Sequence, residues 1–267
     1  MERPDTRFQS RYGPWAIVAG ASVGLGAEYA TQLAARGLNL VLIARRAELL
    51  DAQSVKLSAE HAVQVRPLAL DLAQPDSVER VVAQTRDLEI GLLVYNAGFS
   101  AIGLFLDQAL DAHLREIETN CRTPLALVHT LGRGMAARRR GGIVLMSSLS
   151  ASQGSPMISN YAATKAYNLT LAEGLWDELR RQGIDVIACC AGSTDTPGYR
   201  ASAPAKAFAP ALPPSRVVAE TLTALGQKPS IIPGRGNRLS AFVMRRILPR
   251  RVAIAIMGRT LRAMYAR

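Results

Sequence analysis

Seven apolar runs punctuate the chain, at residues 15–19, 38–44, 63–69, 91–95, 142–146, 185–190 and 230–232, and helical patterns of polar and apolar positions separate them. The runs are continuous rather than alternating, so each predicts a strand buried on both faces. Strands of that kind, alternating with helices, predict an α/β fold: a doubly wound, mostly parallel sheet covered by helices on both sides, with its ligand at the carboxyl ends of the strands. One long helix is expected over about 159–181, where Leu169, Leu171, Leu175, Trp176 and Leu179 extend an apolar surface.

Residues with chemical or conformational character fall just beyond the predicted strand ends: Gly20, Arg45, Asp71, Asn96, Ser148 and Gly192. They should line one edge of the sheet. The first turn reads Gly20-Ala21-Ser22-Val23-Gly24-Leu25-Gly26. Gly20 can reverse the chain at positive φ, Gly24 leaves room for backbone amides to approach a pyrophosphate, and Gly26 lets the next helix pack closely on the sheet. That helix then points its N-terminus at the phosphates. No Gly-Lys-Ser/Thr follows, so the turn is not a P-loop.

Tyr161 and Lys165 lie four residues apart, with Ser148 thirteen residues before Tyr161. On a helix the two share a face, which lets the ammonium sit beneath the phenol and favour its phenolate. A hydroxyl, a phenol and an ammonium at one carbonyl make a proton-delivery site.

Taken in order, the glycine turn, Asp71, Asn96-Ala97-Gly98, Asn120, Ser148 and the Tyr161/Lys165 pair resemble the short-chain dehydrogenase/reductase family from about residue 14 to residue 200. The resemblance implies an NADP(H)-dependent oxidoreductase that interconverts a ketone or aldehyde and an alcohol. It assigns Asn120, Ser148, Tyr161 and Lys165 to catalysis: Asn120 holding a relay water, Ser148 orienting the substrate oxygen, Tyr161 exchanging the proton, and Lys165 lowering its pKa. Cofactor binding is assigned to Gly20, Ser22, Gly24, Leu25, Gly26, Arg45, Asp71, Leu72, Asn96, Ala97, Gly98, Gly192, Thr194 and Thr196, together with Tyr161 and Lys165. Where the family usually has Pro-Gly after the sixth strand, this chain has Ala191-Gly192. Losing the fixed φ of proline should loosen that exit without abolishing binding.

The second strand ends Ala44-Arg45-Arg46, with no acid to hold ribose hydroxyls. Arg45 instead offers a planar cationic fork for a 2′-phosphate, and Ser22 can add a hydroxyl, so NADP(H) is the expected cofactor. His61, His113 and His129 show no ligand spacing, and no metal is expected.

Charge is unevenly placed. The chain carries a net charge of +11, yet no acidic residue follows Glu220, while Lys228 and nine arginines do. A nearly neutral body is thus expected over residues 1–232, followed by a basic helical tail over 233–267. The tail's arginines alternate with apolar residues in two stretches divided by Pro249. Such helices can pack over a substrate mouth, dock on another subunit, or touch an anionic membrane peripherally through residues 236–267. No recognition motif accompanies the charge, so nucleic acid is not expected as a partner.

Residues 194–214 are rich in Ala and Pro without a strong period, and read as a substrate lid. Phe99, Met157, Ile158, Tyr199 and Phe208 should make the pocket apolar, with Arg200 or Lys206 free to meet an acidic group. A small apolar carbonyl compound or alcohol is the expected substrate. The absence of an apolar signal region at the N-terminus and the three unpaired cysteines point to a cytoplasmic protein. In the resembled family the long helix commonly pairs with its copy, implying a homodimer or homotetramer. The rival readings are a non-catalytic nucleotide-sensing or scaffolding protein docking through its tail, and a nucleotide-sugar epimerase, for which the C-terminal region is too short and apolar.

Overall fold

The computed structural model describes residues 5–201 and 211–265. Its strands are β1 (Trp15–Ala19), β2 (Asn39–Ala44), β3 (Val65–Ala69), β4 (Ile90–Tyr95), β5 (Gly141–Ser148), β6 (Ile184–Ala191) and β7 (Ser230–Ile231). All pair in parallel, in the order β3-β2-β1-β4-β5-β6-β7. The order reverses between β1 and β4, and a crevice opens there at the carboxyl ends of the strands. Starts and stops differ from the apolar runs by one or two residues, with one consequence: Ser148 closes β5 rather than standing beyond it.

Helices α1 (Thr6–Tyr12), α2 (Gly24–Ala35), α3 (Ala47–His61), α4 (Ser77–Thr85), α5 (Leu110–Ile117), α6 (Thr123–Arg138), α7 (Ser159–Arg180), α8 (Pro197–Ala201), α9 (Pro214–Ala224), α10 (Arg235–Phe242) and α11 (Arg250–Tyr265) surround the sheet. Every residue of β1 and β4 is buried because both faces are covered. On one face Tyr29 and Leu33 of α2 and Val217 and Leu222 of α9 pack with Val18, Leu40 and Leu42. On the other, Leu127 and Met135 of α6 and Leu169 of α7 pack with Ile17, Val41 and Ile43. Each large apolar side chain so buried contributes about 1.5–3 kcal/mol. β3 is an edge strand, which is why Pro67 is tolerated in it.

Three local features depart from the sequence reading. A π-turn, Glu118–Arg122, joins α5 to α6, so Asn120 lies in a widened helical turn. Pro197–Ala201 is helical inside the segment read as a lid. The ends of that segment are tied together, Leu212 N donating to Ser193 O at 2.9 Å and Asp195 N to Leu212 O at 2.9 Å. Residues 202–210, with Lys206 and Phe208, lie outside the described residues.

Candidate active site

The glycine turn builds one end of the crevice. Gly20 and Gly24 adopt φ of +80° and +63°, which side chains other than glycine rarely tolerate. Gly26 carries no side chain because a β-carbon there would overlap the Gly20 carbonyl oxygen and stand 2.7 Å from Asn96 Nδ2. Asn96 Nδ2 itself donates to Gly20 O at 3.0 Å and locks the turn to the end of β4. Helix α2 begins at Gly24 with no side-chain cap, so its first amides have no local side-chain acceptor. Such an uncapped N-terminus fits an anionic phosphate group.

Beyond the turn, a cavity of about 260 Å³ is lined by Gly20, Ser22, Arg45, Arg46, Asp71, Leu72, Asn96, Ala97, Gly98 and Arg115. Arg46 and Arg115 escaped the sequence reading. Arg46 Nη2 donates to Ser22 Oγ at 3.0 Å, and Arg115 Nη2 to Asp71 Oδ2 at 2.6 Å. Burial would raise the Asp71 pKa, but the Ala73 amide, Arg115 and Arg45 outweigh it and hold the carboxyl below its usual range. Three guanidiniums against one carboxylate leave the pocket cationic.

The other end is a cavity of about 680 Å³ that shares Asn96, Gly98 and Phe99 with the first. Ser148, Tyr161 and Lys165 line it, brought together by the end of β5 and the first turns of α7. Ser148 Oγ accepts from Ser150 N at 3.2 Å. Lys165 is 3% exposed, and its amine donates to Met146 O at 2.9 Å. It stands 5.5 Å from the centre of the Tyr161 ring. Asn120 Nδ2 donates to Phe99 O at 2.9 Å and to Thr164 Oγ1 at 3.0 Å, and its Oδ1 accepts from Phe99 N at 2.9 Å. Both side-chain amide hydrogens are therefore spent, which leaves only acceptor groups of Asn120 for a relay water. Asn120 and Lys165 converge at Gly98, where a β-carbon would lie 3.4 Å from Lys165 Nζ and 3.6 Å from Asn120 Oδ1.

Burial dominates the electrostatics of the pair. Burial pushes the Tyr161 phenol up to about 12, the Ser148 hydroxyl pulling it only part of the way back. Burial also lowers the Lys165 pKa, to about 8. Tyr161 is thus a phenol at neutral pH, suited to give a proton rather than take one. Because the Lys165 value is depressed, the ammonium is present below about pH 8 and lost above it. Reductive kcat/KM is expected to hold level through neutral pH and to fall above about pH 8. A pH–rate profile that stayed level until Tyr161 itself titrates, near 12, would remove Lys165 from the mechanism.

Of the other expected residues, Leu25, Gly192, Thr194 and Thr196 line the larger cavity. Thr194 Oγ1 donates to Gly192 O at 3.0 Å, and Thr196 Oγ1 accepts from Tyr199 N at 3.1 Å. Phe99, Ile158 and Tyr199 line the cavity as expected, whereas Met157 does not. Met157 sits at φ +68° in the turn before α7, its carbonyl accepting Gly103 N at 2.9 Å. Arg200 is not free for a ligand, since Asp195 takes Nε at 2.6 Å and Nη2 at 2.8 Å. Sequence reasoning also missed Glu116, fully buried below α7, whose Oε2 accepts from Asn160 Nδ2 at 2.6 Å. Nothing in the local pattern marks it. The tail's own signal was its apolar periodicity: Asn237, Met244, Ile256, Met257, Met264 and Tyr265 all line the larger cavity.

The profile of the short chain dehydrogenase family matches residues 14–207, a span that holds the glycine turn, Asn120, Ser148, Tyr161 and Lys165. The chain belongs to that family. This short-chain dehydrogenase is an oxidoreductase, similar to a 7beta-hydroxysteroid dehydrogenase of Clostridium sardiniense with 34% identity over 86% of this chain and 89% of the relative. A solved 7beta-hydroxysteroid dehydrogenase, studied for its stereoselectivity, superposes with a TM-score of 0.89 at 29% identity, over 94% of this dehydrogenase and 98% of that chain. A short-chain dehydrogenase from Sphingobium yanoikuyae, solved in complex with NADPH, gives a TM-score of 0.77 at 30% identity, over 86% and 92% of the two chains.

Proposed function

We propose that this dehydrogenase is an NADP(H)-dependent enzyme interconverting a ring ketone and a secondary alcohol on a bulky apolar substrate of the hydroxysteroid kind. One observation carries the reading: a cavity of about 680 Å³ whose only charged lining residue, among the described residues, is Lys165, and which ends on Ser148 and Tyr161. A volume of that order matches a drug-sized apolar ligand. Walls from Phe99, Ile102, Met257, Leu261 and Met264 can exclude water from a carbonyl presented to the two hydroxyls.

The uncapped start of α2 would hold the dinucleotide's pyrophosphate, Arg45 and Arg46 its 2′-phosphate, and Lys165 its nicotinamide ribose. Bound there, it supplies the hydride. The Ser148 hydroxyl would hold the substrate oxygen, and Tyr161 would donate its phenolic proton to that oxygen. Lys165, anchored on Met146 O, would support the phenolate that remains, and Asn120 fixes the Phe99 backbone beside it. We further read the chain as a homodimer or homotetramer, because Leu110, Leu114, Ile117 and Leu125 leave an apolar band exposed on α5 and its continuation. Its free thiols at Cys121, Cys189 and Cys190 fit the reducing cytoplasm. To these we add peripheral contact of residues 236–267 with an anionic bilayer.

The test is a panel of steroid ketones, 7-oxo compounds among them, set against short-chain aldehydes and followed by the loss of NADPH absorbance. The steroid ketones should turn over with the higher kcat/KM, and NADPH should be preferred to NADH by at least about tenfold, one good charged contact. Arg45→Ala with Arg46→Ala should narrow that preference. Equal use of both cofactors, or aldehydes turned over faster than every steroid, would refute the assignment.

A further inference from the structure

Helix α10 is a thin wall with two unlike faces. Asn237, Ser240, Ala241 and, in the π-turn Val243–Ile247 that continues it, Met244 line the substrate cavity. At 3.6 residues per turn the opposite side carries Arg235, Arg238, Leu239, Phe242 and Arg246, followed by Ile247. Leu239, Phe242 and Ile247 are 65%, 56% and 61% exposed. A helix of a globular domain normally turns such residues toward the core. Here the inward side is already taken by the cavity.

The same segment and the first residues of α11 carry Arg235, Arg245, Arg246, Arg250 and Arg251, all exposed. Among the described residues none of the five has an acidic partner, whereas Arg238 is held by Glu220 at 3.1 Å. The composition of the patch narrows the partner. A second copy meeting this face through a two-fold axis would press uncompensated arginines against their own copies, and like charges in contact repel. Nucleic acid would satisfy the guanidiniums but offers nothing to Leu239, Phe242 and Ile247. An anionic bilayer satisfies both, with headgroup phosphates taking the arginines and the acyl boundary taking the apolar side chains.

We propose that the outward face of α10 and its π-turn, Leu239, Phe242 and Ile247 with the exposed arginines of the same segment, seats the enzyme on an anionic phospholipid surface. One side of a single helix then faces the bilayer while the other lines the apolar cavity. This rests on the peripheral contact proposed above and not on the reaction.

Full-length protein would be sedimented with vesicles of phosphatidylcholine alone and with vesicles of phosphatidylcholine and phosphatidylglycerol in equal parts. Binding should be at least about tenfold tighter to the mixed vesicles and should weaken as salt is added. The pair Leu239→Ser and Phe242→Ser, and separately Arg235→Gln and Arg246→Gln, should each weaken binding to the mixed vesicles by about tenfold or more. Both pairs should keep turnover of a soluble ketone, since none of these four residues lines the cavity. If the natural sequence binds neither vesicle, this face and the peripheral contact fail together. If Arg259→Gln with Arg262→Gln releases the protein while the α10 pairs do not, the contact belongs to α11 and the proposal is overturned. It is equally overturned if the Leu239/Phe242 pair changes the oligomeric state in sedimentation velocity and leaves vesicle binding intact.

Discussion

Gly26→Ala is expected to lower the unfolding midpoint by about 5–10 °C and to weaken cofactor binding with it. The added methyl would overlap the Gly20 carbonyl oxygen and crowd Asn96 Nδ2, so α2 must move off β1 and the Asn96–Gly20 hydrogen bond must stretch or break. Overpacking of this kind costs about 1–3 kcal/mol, and the lost hydrogen bond about 1 kcal/mol more. The displaced element is the helix whose free amides face the phosphate site, which is why affinity should fall together with stability. A contrasting site exists in the same molecule: nothing lies within 4 Å of a β-carbon built on Gly174 in α7. Gly174→Ala should be neutral or stabilising, because alanine favours the helix. Calorimetry of the two variants, with and without NADPH, checks the argument, and equal midpoints would contradict it.

Why the fold was legible and parts of the site were not has a physical basis. Buried parallel strands must be apolar on both faces, so their continuous runs stand out in the chain, and their carboxyl ends follow from topology. Gly20 and Gly24 were readable for the same reason, since a positive φ leaves few alternatives to glycine. The π-turn at Asn120 was hidden because one extra residue in a helix barely disturbs the apolar period. Arg115 and Arg46 were hidden because long side chains reach the site from elements whose register alone does not aim them. Arg200 was misread through a neighbour: the short helix α8 folds it back onto Asp195. The tail's two helices were legible from periodicity, but which side of each faced the cavity depended on tertiary packing. How far burial raises the Tyr161 pKa was not legible either, because burial is set by tertiary packing and not by neighbours in sequence.

Tyr161→Phe is expected to have the largest effect on turnover. Removing one oxygen from a half-buried ring leaves the packing of α7 in place, with Lys165 still donating to Met146 O. The cradle of glycines and arginines that would hold the dinucleotide lies at the other end of the crevice. What disappears is the proton donor, and general acid catalysis by a positioned side chain contributes about 10²–10⁴-fold. The loss should appear in kcat rather than in KM. The most direct measurement therefore sets the single-turnover rate of ketone reduction beside the Kd for NADPH, in the natural sequence and in Tyr161→Phe. The account predicts a rate lower by about a thousandfold with Kd unchanged to within about twofold. A variant that reduces the ketone within about tenfold of the natural rate would contradict it, because the phenol would then not be the acid.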